Sequence, residues 1–93
     1  MARKSDYKKD IASLLELILS LKTAEECDWF FKDLCTDKEL EQMSQRVKAA
    51  KLLLEGKTYN QVIEQCDIST ATLSRVSRCV QYGKGYKNLI DCK

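Results

Sequence analysis

The stretch T-Y-N-Q-V-I-E-Q-C-D-I-S-T-A-T-L-S-R-V-S-R-C-V-Q, from Thr58 to Gln81, decides the fold. Thr58 followed three residues on by Gln61 is a capping box. The hydroxyl takes a free backbone N–H at a helix start and the amide reaches back. The helix it opens is short, with Val62, Ile63 and Cys66 as inward apolar residues and an end at about Gln65 or Cys66. Ser69 supplies a second helix start. From there Leu73 and Val76 mark the inward face of a helix reaching about Gln81. Two short helices joined by a tight turn are the outline of a helix-turn-helix. Asp67 is expected to take the left-handed backbone of the turn, and Ile68 to plug the angle between the helices.

Thr70, Ala71, Thr72, Ser74, Arg75 and Arg78 remain for the outer face of the second helix. They are small, polar or basic, and none is acidic. Small side chains at a helix start let the backbone approach base edges, hydroxyls bond to bases or phosphates, and a methyl touches thymine. Free N–H groups at such a start attract phosphate. Arg75 and Arg78 suit a phosphate or a guanine edge. Ser69 through Arg78 is therefore the candidate reading head for double-stranded DNA, with Lys57 and Asn60 as candidate phosphate anchors. Charge agrees: between Ile68 and Ile90 there is no acid, whereas Arg75, Arg78, Lys84 and Lys87 all fall there. Such a field is the footprint of a polyanion partner; the bland alternative is a solvated basic face.

Outside this stretch the pattern remains helical. There is no proline, there are three glycines, and apolar residues recur at three and four. A first helix is predicted from about Asp6 to Leu21, with Ile11, Leu14, Leu15, Ile18 and Leu19 as one stripe. A second begins at Thr23, with Glu26 completing a capping box, and aligns Cys27, Phe30, Phe31 and Leu34. Trp29 lies off that line, facing either a partner chain or an extended core. The third begins at Thr36 with Glu39, aligns Leu40, Met43, Val47, Ala50 and Leu54, and ends before Gly56, which suits a left-handed C-terminal position. Gly83 and Gly85 break the chain before a last short helix offering Tyr86, Leu89 and Ile90, which needs docking to persist. The expectation is an all-α fold of about six helices in one domain, residues 1–93. Residues 1–56 would be dimerisation helices, 57–82 the helix-turn-helix and 83–93 a tail. The small core and single reading head favour a homodimer.

Composition excludes several classes of function. With no histidine, the usual general base and the commonest metal ligand are missing. Cys27, Cys35, Cys66, Cys79 and Cys92 are odd in number and form no C-x-x-C pair, so they read as reduced thiols rather than a metal or redox centre. No phosphate-cradling glycine loop is present. No enzyme, metal or cofactor is expected. No apolar run approaches the ~20 residues of a membrane span, and MARKSDYKKD lacks the apolar core of a signal peptide. A cytoplasmic protein with no membrane partner is expected. The alternative function is a helical adaptor that binds protein rather than DNA, using exposed acids such as Asp28, Asp33, Asp37 and Glu41.

The run from T-D-K-E at Thr36, through Q-R-V-K-A-A-K-L-L-L-E-G ending at Gly56, to A-T-L-S-R ending at Arg75 resembles the Trp repressor family. At its end and beyond it, S-R-V-S-R (Ser74–Arg78) and Y-G-K-G-Y (Tyr82–Tyr86) resemble the small YerC/YecD branch. The resemblance extends from about Tyr7 to Asp91 and is most specific between Gln45 and Tyr86. It implies an intertwined all-helical homodimer, a palindromic operator and a regulatory role, most simply as a repressor. It also implies a possible amino-acid corepressor pocket, where Thr36, Arg46 and Arg75 match polar positions of the tryptophan site. Val76 stands where the family has glycine beside the indole, and Cys79 where it has a serine facing the ligand's amino group. Arg46 has an alternative role as a surface arginine paired with Glu39 or Asp37.

Overall fold

In the computed structural model, which describes residues 7–90, every regular element is a helix. In chain order these are α1 (Tyr7–Leu19), α2 (Ala24–Leu34), α3 (Asp37–Leu54), α4 (Tyr59–Gln65), α5 (Thr70–Tyr82) and α6 (Gly85–Leu89). The chain divides into two units, residues 1–36 and 37–93.

The first unit holds α1 and α2. Asp6, the expected start of the first helix, lies outside the described residues, and α1 ends at Leu19 rather than Leu21. Thr23 caps α2 as the spacing predicts, its hydroxyl accepting from the Glu26 N–H at 3.0 Å. Glu26 reaches one residue further back than a capping box requires, accepting from the Lys22 N–H at 2.8 Å. Phe30 and Phe31 meet edge to face, with centroids 5.1 Å apart, a favoured arrangement for two quadrupoles. No residue of α1 or α2 is fully buried. Leu15, Leu17, Leu19, Trp29 and Leu34 are all exposed in the single chain.

The second unit contains a core of Ala49, Ala50, Val62, Cys66, Leu73 and Val76. It forms where α3 packs on α5, its principal partner, and on α4. Ala49 and Ala50 are wholly enclosed; side chains this small let α5 lie close against α3 without leaving a void. The predicted stripe of α3 needs correction, since Ala49 is buried whereas Val47 is exposed. Ile63, expected to face inward from α4, is also exposed, and Val62 and Cys66 carry the packing instead. Gly56 has a φ of 93°. Lys57 N–H donates to the Leu52 carbonyl and Gly56 N–H to that of Leu53, both at 3.0 Å, so the left-handed glycine closes α3 as a Schellman motif.

Helix α6 persists because it is docked on α5 and α3. Tyr86 and Ile90 lie against the core, while Leu89 points outward. Lys87 Nζ donates to the Gln81 carbonyl at 3.1 Å, placing a cation near the negative end of the α5 dipole. The C-cap of α5 is glycine, Gly83, for a steric reason. Its φ is −83°, which any residue adopts, but a Cβ there would sit 2.7 Å from the Cys79 carbonyl oxygen.

Candidate nucleic-acid interface

Two capped helices and an extended turn build the site. Thr58 opens α4 with a complete capping box: Gln61 N–H donates to Thr58 Oγ1 at 3.2 Å, and Thr58 N–H to Gln61 Oε1 at 2.8 Å. Ser69 opens α5, its Oγ accepting from the Thr72 N–H at 3.1 Å and its hydroxyl donating to Thr72 Oγ1 at 2.9 Å. Ser69 is thus engaged mainly as the cap. The Thr72 side chain, half-buried beside it, keeps a hydroxyl proton to donate.

The turn differs from the sequence expectation. Among the described residues the sole positive φ is that of Gly56, so Asp67 does not take a left-handed conformation. The bend instead runs through extended backbone, at φ −124° for Cys66 and −75° for Ser69. Asp67 N–H donates to Gln45 Oε1 of α3 at 2.8 Å. Ile68 packs against the core as the plug. The side chain that anchors the turn is thus 22 positions away in sequence.

On α5 the division into two faces is sharp. Leu73, Val76 and Ser77 are buried, whereas Thr70, Ala71, Ser74, Arg75 and Arg78 are exposed. The exposed set matches the predicted reading face apart from the half-buried Thr72. Lys57 and Asn60 are exposed at the start of α4. Neither Arg75 nor Arg78 forms an ion pair among the described residues, so both guanidinium groups are available to a phosphate or a base.

An open groove of about 690 Å³ lies between the first half of α3 and the turn. Arg46, Gln42, Gln45, Asp67, Ser69 and Thr72 are among its lining residues, which are almost all polar or charged. Of the candidate effector residues in this unit, Arg46 lines the groove; Arg75, Val76 and Cys79 do not. Val76 lies in the core with Leu73, Cys79 is half-buried, and Thr36 is an exposed residue just before α3. Arg46 forms no ion pair with Glu39 or Asp37. Sequence reasoning missed two contributors. Ala49 is hidden by its lack of bulk, and Gln45 reads as an ordinary surface amide until its long-range partner is known. Among the described residues, no helix is long and apolar enough to cross a membrane.

The comparisons with known proteins agree with this geometry. A family model described as Trp repressor protein matches residues 9–92. The uncharacterised protein YerC of Bacillus subtilis is 45% identical over 84 residues, covering 89% of this chain and 81% of that protein. A crystal structure of a candidate Trp repressor from Staphylococcus aureus superposes with a TM-score of 0.80 at 41% identity, covering 85% of this chain and 80% of the other. A TrpR-like protein from Eubacterium eligens gives 0.83 at 43% identity, with coverages of 87% and 84%.

Proposed function

The chain belongs to the Trp repressor family, whose members are DNA-binding regulators and not enzymes, and from that premise we propose that it is a sequence-specific transcriptional repressor that inserts α5 into the major groove of duplex DNA. One observation carries the proposal: the outer face of α5, from Thr70 to Arg78, is exposed apart from the half-buried Thr72, free of acids and backed by a face buried in the core. A helix of this kind, about 10–12 Å across, fits a major groove about 12 Å wide. Ala71, Thr70 and Ser74 approach base edges, Arg75 and Arg78 take phosphate or guanine, and Lys57 and Asn60 hold the flanking backbone. The free N–H groups at the start of α5 favour a phosphate beside Thr70.

The working species is a homodimer of one family domain per chain. The apolar residues of α1 and α2 left exposed in a single copy support this assembly, because an exposed apolar patch of this kind marks an interface. Two reading heads about 34 Å apart then meet successive turns of a palindromic site. Such a protein would act in the cytoplasm, in contact with the DNA it regulates. Two residues argue against tryptophan as its corepressor: Val76 is buried in the core, and the position that in the family faces the ligand's amino group carries the thiol of Cys79, a weak hydrogen-bonding group.

Selection of bound duplexes from a random-sequence pool tests the DNA reading. A palindromic consensus with half-sites one helical turn apart is expected. Recovery of no enriched sequence, together with no retention on heparin, would favour the adaptor reading. For the ligand question, tryptophan at millimolar concentration should leave Tm unchanged, since a native-state ligand must raise it.

A further inference from the structure

We propose that Gln45 is a positioning residue for the DNA-reading helix, setting the direction of α5 through the turn rather than by touching bases; this rests on the DNA-binding reading above. The turn has no glycine and no left-handed residue of its own to impose an angle. Its two ends are tied within their own helices: Cys66 N–H donates to the Val62 carbonyl at 2.9 Å, and Thr72 N–H to Ser69 Oγ. The segment between them is tied to the body by the 2.8 Å bond from Asp67 N–H to Gln45 Oε1. That bond joins α3, which bears the core residues Ala49 and Ala50 one turn further on, to the pivot of the reading head.

The lever arm makes the bond matter. Arg75, the candidate base contact, lies five positions beyond Thr70, about 7.5 Å along the helix, so a swing of about 10° at the pivot moves it by about 1.3 Å. Hydrogen bonds to base edges do not tolerate such a displacement. Non-specific phosphate contacts adjust to it, because a cation needs only proximity to the backbone charge. Loss of the tether therefore lowers discrimination between sequences more than it lowers general affinity for DNA. A neutral amide also suits the position, since it supplies the acceptor without adding a further carboxylate to a groove already lined by Glu41 and Asp67.

The test compares the full-length wild type with Gln45→Met, which keeps length and loses the acceptor, and Gln45→Glu, which restores an acceptor but adds charge. Two quantities are read: amide exchange at Asp67, and the ratio of affinity for the duplex recovered from random-pool selection to that for a scrambled duplex. In Gln45→Met, Asp67 exchange should quicken about tenfold while Leu73 and Val76 stay protected, and the specificity ratio should fall about three- to tenfold. Gln45→Glu should regain Asp67 protection and the ratio while binding both duplexes more weakly. An unchanged ratio or unchanged Asp67 exchange in Gln45→Met, with wild-type DNA binding intact, overturns the proposal alone. Failure of the wild type to bind any duplex overturns the DNA reading and the positioning role together, and the Asp67 exchange data still show whether the tether orders the turn.

Discussion

Replacing Arg78 by alanine removes a guanidinium from the exposed face of α5 that makes no ion pair among the described residues. The fold gives up little, because the side chain is outside the core. In a homodimer one substitution removes two cations. If each neutralises a phosphate, the slope of log K against log salt becomes shallower by about 1.8, from the ~0.9 counterions released per phosphate. Between 50 and 200 mM salt the gap between wild type and variant should then close by about twelvefold. Arg75→Ala offers the contrast. A base contact there costs about 1–3 kcal/mol and relaxes preference at one position of each half-site, with a smaller change of slope. Fluorescence anisotropy with a labelled duplex over a salt series measures both. Affinities within twofold of wild type and an unchanged slope for both variants, with intact helical signal, would refute the assignment of α5 as the reading head.

The core makes its own predictions. Leu73→Ala opens a cavity at a wholly buried position between α3 and α5 and should cost about 2–5 kcal/mol in urea unfolding; a loss under 1 kcal/mol would mean that the site is not packed as described. The glycines of the last turn should respond with opposite signs. Gly83→Ala forces a Cβ against the Cys79 carbonyl at 2.7 Å and should lower stability by about 1–3 kcal/mol. Gly85→Ala, where a Cβ meets nothing within 4 Å, should raise it by about 0.4–1 kcal/mol through the unfolded chain. Thermal unfolding of the two variants checks the contrast.

Local chemistry made much of this architecture legible. Thr58 with Gln61, Ser69, and Gly56 each act within a few residues of themselves, and each performs the expected capping role. Leu73 and Val76 are buried as their spacing predicts. Periodicity is less informative at the margins of a face, and it misplaced Val47 and Ile63 because a stripe does not say how wide the contact is. Ala49 carries too little apolar weight to announce itself. The turn escapes local reading for a different reason. A left-handed Asp67 is the local solution to a sharp bend, whereas the chain uses an acceptor brought in from α3. A bond across 22 positions follows from the packing of α3 on α5 and leaves no trace in the neighbouring residues. The face of α5 was readable because exclusion of acids from Ile68 to Ile90 is a compositional fact, independent of how the helices pack.

Backbone amide shift mapping of the isotopically labelled protein against the duplex selected from a random pool tests the central claim most directly. The account predicts that the largest perturbations fall on Thr70 through Arg78, with weaker ones at Lys57 and Asn60. Perturbations concentrated on α1 and α2, or none on α5 at saturating duplex, would contradict it.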